Sequence, residues 1–355
     1  MFFFMGRRRG RSVLPCMHPF LYKLIKFPSS HCPFSEEAAT FCSSLIECLR
    51  KLEESLAESS VSLHWSIEAM HVLKKLQLDL LSFLKRFDLP ISCEVEQDWF
   101  NHYMDATITL LDLCNSMKSA ISATHRYRMT VSFAIESLSR YEEDDDLSSC
   151  MVTLNKIIEC KGLETLQQQQ QQKRKTLLQH DKMKVCSLIM PLKGCSKKHD
   201  KSVSMIIFAA KSVMVILSLL LVSAIVSPVS INMEGDCVFG RRFPELKLFM
   251  EMLEALVGRF REKSSLSLSS PENGSRLVLV EHEKVDKVVG ELKEQVVQGV
   301  VEDKQRFQSG IELLRSKSAE LSESVEMFDA VVDEVFNVVI RGRNEMLGVL
   351  KDKGL

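Results

Sequence analysis

KSVSMIIFAAKSVMVILSLLLVSAIVSPVSINME, residues Lys201 to Glu234, has one charged side chain between its ends, Lys211. From Ser212 to Met233 the chain runs 22 residues with no charge at all. As a helix such a run rises about 33 Å, enough to cross a hydrocarbon core of roughly 30 Å. Each Leu, Ile or Val near its middle favours insertion by about 0.3–0.6 kcal/mol. Lys211 stands just ahead of the uncharged run, where its long stem can carry the ammonium back to the headgroups. The other reading is a buried helix of a soluble bundle, but continuous apolar runs there are usually about 10–14 residues long. The expectation is therefore one transmembrane helix over residues 203–231.

What flanks this run points the same way. Residues 173–201 carry nine Lys/Arg against Asp181 and Asp200, a net charge of +7. Next to a span, Lys197, Lys198, Lys201 and Lys211 read as a cytoplasmic anchor, each worth about 1 kcal/mol near anionic lipid. Residues 234–250 are balanced in charge. The positive-inside rule then puts the N-terminal part in the cytosol and the C-terminal part across the membrane. Ten of the eleven cysteines precede the run and form no CxxC pair. Scattered cysteines of that kind behave as small buried hydrophobes in a reducing compartment.

The 355 residues have a net charge of −1, which argues against nucleic acid as a partner. Gly (14) and Pro (9) are sparse and alternating patterns scarce, so the chain reads as all-α. Residues 1–35 hold six Arg/Lys and no acid. They read as a basic leader that lies on an anionic surface, with an organelle transit segment as the alternative.

From residue 36 to 166 the pattern is that of an antiparallel helical bundle. One helix starts at Ser35-Glu36-Glu37, where a hydroxyl and carboxylates suit free N–H groups and the dipole. Its apolar face is Phe41, Leu45, Cys48/Leu49, Leu52 and Leu56. A second helix carries Trp65, Ala69, Leu73, Leu76, Leu80 and Leu84 inward and ends before Pro90. A third, from Asp98 to about Leu138, turns Trp99, Tyr103, Thr107, Leu110, Cys114, Met117 and Ile121 inward. Beyond the acidic run 142–146 come a short helix, Met151 to Leu166, and six glutamines. With the polybasic stretch these glutamines make a juxtamembrane linker over residues 167–201.

Trp65-Ala69-Met70-Leu73, then Leu89-Pro90, then Trp99, Tyr103, Asp105, Leu110, Leu111, Asp112, Cys114 and Asn115 form a pattern that resembles the plant BYPASS family. The stretch VFNVVIRGRNEML, Val335 to Leu347, resembles that family's closing helix. The resemblance implies a membrane-associated developmental regulator that restrains a mobile root-derived signal controlling shoot growth. It carries over no catalytic residue.

Residues 234–355 read as a C-terminal region of long amphipathic helices. Leu246, Phe249, Leu253 and Leu256 mark one, and Val285, Val288, Leu292 and Val296 a second. Ile311, Leu314, Leu321, Val325, Phe328, Val332, Val335 and Val339 mark a third. Asn273-Gly274-Ser275 fits a glycosylation acceptor in the serine-rich linker between them.

Candidate chemistry is thin. Cys186, Cys195 and His199 lack a fourth ligand for zinc, and no cofactor motif is present. Asp105 and Asp112, two turns apart on one helical face, suit interhelical hydrogen bonds better than paired acid–base work. These readings point to a membrane-anchored, non-catalytic regulatory protein of the endomembrane system, most simply the endoplasmic reticulum. Its expected partners are lipid, other proteins and a possible second copy of itself. Two other readings are a soluble coiled-coil-like scaffold in membrane trafficking and an enzyme acting on a hydrophobic metabolite. A chloroplast address is the minor alternative.

Overall fold

The structure, a computed structural model, describes residues 33–58, 60–86, 98–140, 148–159, 198–226, 246–267, 280–298 and 304–352. Among them are eight helices and no strand. In chain order these are α1 (Pro33–Glu58), α2 (Leu63–Arg86), α3 (Asp98–Ser139), α4 (148–159), α5 (Lys198–Ile225), α6 (Lys247–Ser267), α7 (Val280–Val297) and α8 (Lys304–Asp352). The all-α reading holds, and so do the amphipathic faces. The inward residues expected of the first three helices and lying in the described part are buried, except the half-buried Cys48, and so are the valine and leucine stripes of α7 and α8.

Local chemistry sets the helix starts. Ser62 caps α2, its hydroxyl accepting the Trp65 N–H at 3.2 Å. A second cap comes from far along the chain: Glu281, in the first turn of α7, accepts the Leu63 N–H at 3.0 Å. Val280 N–H in turn donates to the Val61 carbonyl at 3.2 Å. Two helix N-termini thus meet and satisfy donors that neither helix satisfies alone.

α1 and α2 form an antiparallel hairpin, tied by Ser55 to Glu68 at 2.7 Å and by Lys75 to Ser44 at 2.7 Å. Trp65 is fully buried at its closed end. The indole N–H donates to the Leu52 carbonyl at 3.2 Å, and the ring lies 5.5 Å from Phe260 of α6. Arg259 of α6 pairs with Glu53 of α1 at 3.0 Å, and Lys263 donates to the Ala57 carbonyl at 3.0 Å. α6 therefore runs parallel to α1.

α5 lies at the centre. It packs against α1, α2, α3 and α6. Met205–Ile225 is long and apolar enough to cross a membrane. In its most apolar 18-residue stretch, 94% of the residues are buried inside the protein. A helix apolar on every side needs an apolar solvent on every side, and either a protein core or lipid can supply it. Here the surrounding helices do. The hydroxyl of buried Ser212 is accommodated by donating to the Phe208 carbonyl at 2.8 Å.

Two expectations change on this arrangement. The first is sidedness. Helices of the N-terminal and C-terminal parts pack directly on one another, α8 along α2 and α3 and α6 along α1, which chains on opposite faces of a membrane cannot do. The second is register. The described helix runs to Ile225, and residue 231 lies outside the described residues. Lys211 lies inside the apolar segment, half-buried, and not at its edge. α4 is described over 148–159, and residues 160–166 of the expected helix lie outside the described residues. Pro90, Lys197, the Gln run, Asn273 and most of the leader lie outside the described residues, as do the side chains of Lys198 and Lys201.

Candidate interaction surface on the α3–α8 seam

The residues that carried the family resemblance do not all serve one purpose. Trp65 and Trp99 are core anchors, Trp99 meeting Phe100 edge-on at 6.0 Å between ring centres. The Trp99 indole nitrogen is buried and has no hydrogen-bond partner among the described residues. Tyr103, by contrast, sits at the junction of α2, α3 and α8. Its fully buried phenol oxygen accepts from Gln77 Nε2 at 2.8 Å. Burial pushes the phenol up to about 12, so it stays neutral.

α8 reaches this junction through the RGR of its last third. Gly342 lets the backbone close on Tyr103: a β-carbon there would sit 2.8 Å from the phenol oxygen and 3.1 Å from Gln77 Nε2. Arg343 follows, its Nη1 donating to the Met104 carbonyl at 2.8 Å and to Thr107 Oγ1 at 2.5 Å. Further along α3, Lys118 bridges Asp329 at 2.6 Å and Asp333 at 2.8 Å. Arg128 then meets Ser322 and Glu326. Positions rise on α3 as they fall on α8, so the two helices run antiparallel. Lys74–Glu334 and Lys85–Glu345, each at 2.8 Å, make α8 parallel to α2.

This register sets the outer side of the seam. With Met104 beside Arg343 and Lys118 beside Asp329, Ile108 falls opposite Ile340, and Leu111 opposite Phe336. Ile108, Phe336, Ile340 and Leu347 are 39%, 37%, 37% and 41% exposed, an apolar strip partly in water. Met104 and Leu111 of the same stretch of α3 are half-buried. Asp105 and Asp112, seven residues apart, flank the strip on its α3 side. Asp105 is exposed, and partial burial raises the Asp112 carboxyl. Neither carboxylate has an ion-pair or hydrogen-bond partner among the described residues, so the expected interhelical bonds are not formed. On the other flank of α8, Leu78, Leu81, Ser82, Lys85, Arg341 and Gly342 line an open groove of about 460 Å³.

Sequence reasoning missed Gln77, Gly342, Arg343 and the Lys118–Asp329 register. The one available signal was the glycine between two arginines in an otherwise valine-striped helix, since a glycine inside a helix costs about 1 kcal/mol relative to alanine and asks for a packing reason.

No protein-family model and no solved structure matches the chain. The chain is similar to UPF0496 protein 4 of rice, Oryza sativa, in both the indica and japonica subspecies. There it is 27% identical over 139 residues, 38% of this chain and 30% of the rice protein. The chain thus spans less than a third of these rice relatives. It is also similar to Protein BPS1, chloroplastic, of Arabidopsis thaliana, 21% identical over 334 residues, which is 90% of this chain and 88% of that protein. The similarity to these plant proteins is distant, and with BPS1 it extends along nearly the whole chain.

Proposed function

We propose that the chain is a non-catalytic regulatory protein of plants, a helical bundle whose work is done by binding other proteins. Its similarity to BPS1 over nine-tenths of its length supports this. The observation that carries the reading is the seam: four half-exposed apolar side chains and two carboxylates without a partner among the described residues stand on a well-tied pair of helices. The Tyr103 phenol is held neutral and away from water by burial. The role implied by the BYPASS resemblance, restraint of a mobile root-derived signal that arrests shoot growth, is the one we assign. Grafting tests it. A rootstock lacking the protein is expected to arrest a wild-type shoot; normal growth of that shoot contradicts the assignment.

A second reading has its own observation. Met205–Ile225 has the length and composition of a membrane span, and a segment of net charge +7 precedes it in sequence. On that reading α5 anchors the protein in an endomembrane, and anionic lipid is a partner. Retention in the pellet after carbonate extraction supports it, and release into the supernatant contradicts it. The chloroplast address in the BPS1 name and the acid-free leader suggest a plastid. A fluorescent fusion of residues 1–35 distinguishes that location from the endoplasmic reticulum.

A further inference from the structure

The strip on the outer α3–α8 seam has the chemistry of half an interface. Singly exposed leucines or isoleucines are ordinary on a protein surface. Here Phe336, Ile340 and Leu347 share one face of α8 by their spacing, and the register sets Ile108 of α3 opposite Ile340, on two helices tied to each other by Arg343 and by Lys118. The charges that hold the seam together are used up within it: Arg343 by Met104 and Thr107, Lys118 by Asp329 and Asp333. Asp105 and Asp112 are different. They share one edge of the strip, one heptad apart, with no cation paired to either among the described residues. A seven-residue spacing matches the repeat of a helix lying alongside in coiled-coil geometry.

We propose that this seam is the docking site of an amphipathic helix from another protein. The partner helix lays an apolar face over Ile108, Phe336, Ile340 and Leu347. Two Lys or Arg residues seven positions apart on its edge pair with Asp105 and Asp112. Helix-in-groove recognition of this kind takes its affinity from the apolar anchors and its orientation and specificity from the rim charges. The basic residues are called for by the two uncompensated carboxylates; an acidic helix would meet repulsion at both. The proposal names the partner chemistry for the binding role assigned above and rests on it. Its test measures the contact itself, so its failure would leave the grafting result standing.

The experiment uses the full chain and two labelled helical peptides of about 20 residues, long enough to populate a helix. Both carry the same leucine face; one has Lys and the other Glu at the two rim positions. Fluorescence anisotropy reads binding. The Lys peptide is expected to bind roughly threefold to tenfold more tightly than the Glu peptide, the scale of two partly exposed ion pairs. Asp105→Lys with Asp112→Lys should reverse that preference, and Ile340→Ser should weaken both peptides alike while circular dichroism stays native. Equal binding of the two peptides, or a preference that survives the charge swap, overturns the proposal. So does the absence of peptide binding combined with an Ile340-dependent dimer in sedimentation, which gives the seam to a second copy. Loss of vesicle binding in Ile340→Ser without peptide binding gives it to lipid and also overturns the proposal.

Discussion

Gly342 of α8 faces the phenol of Tyr103 at a distance that leaves no room for a side chain: a β-carbon would lie 2.8 Å from the oxygen. The last helix therefore meets α2 and α3 at a glycine, against a hydrogen-bonded, fully buried pair, Gln77 and Tyr103. Gly342→Ala gains about 1 kcal/mol of helix propensity. Overpacking opposes it by about 1–3 kcal/mol. A net loss of up to about 2 kcal/mol is expected in urea unfolding. Adding Tyr103→Phe removes the clashing oxygen, so the double variant should lose less than the sum of the two single losses. Strict additivity would show that the two residues do not press on each other.

Glu281 gives the bundle a pH dependence. Burial raises its carboxyl, although its own and the Leu63 N–H groups pull the other way. The sign follows from linkage. With the folded value above the unfolded one, the folded state holds the proton more tightly, so stability falls as pH rises through that window. Glu281→Gln keeps an oxygen for the Leu63 N–H without the charge. It should flatten the profile in weak acid and be at least as stable as the parent at pH 7. Glu281→Ala also loses the acceptor and should cost about 0.5–2 kcal/mol. A Gln variant less stable than the parent at pH 7, measured by urea midpoint, contradicts this reading.

Burial pushes the thiols of Cys42 and Cys114 up to about 12. At pH 8 roughly one part in ten thousand would be thiolate, and access is closed as well. Native alkylation followed by peptide mass spectrometry should leave both unmodified and label the half-buried Cys48 ahead of them. Denaturant should make all three react. Fast labelling of Cys114 in the native state would mean that the α3–α8 seam opens.

Removing α8 should dissolve the rest. Val332, Val335 and Val339 are fully buried, and α8 packs on α2 and α3. A chain ending at Asp303 would expose that apolar surface at about 25 cal/mol per Å². Its thermal unfolding by circular dichroism should lose cooperativity. A sharp transition in the truncated chain would show instead that residues 36–166 form a domain on their own.

Much of this architecture was legible in the chain, for a definite reason. Which face of a helix is apolar is a local property. The faces of α2, α3 and α8 were therefore readable from Trp65, Tyr103 and Phe328 and their neighbours. Which face meets which is not local. Lys118 and Asp329 are 211 positions apart, and nothing in periodicity joins them. The same limit governs α5. Its all-round apolarity states that it avoids water but not whether lipid or α1, α2, α3 and α6 replaces it. Asp105 and Asp112 could be placed on one face from their spacing. That they face outward without partners required the burial of everything around them.

The central claim is that both halves of the chain close around α5 as one bundle, and the Lys118 bridge tests it most directly. Zero-length carbodiimide coupling of the full-length protein, in the fraction where it is found, should join Lys118 to Asp329 or Asp333. The neighbouring pair Lys75–Asp79, 2.7 Å apart within α2, serves as an internal control. Recovery of both cross-linked species by mass spectrometry is the predicted result. Recovery of the Lys75–Asp79 product without any Lys118 product would contradict the account, because it would place α3 and α8 apart.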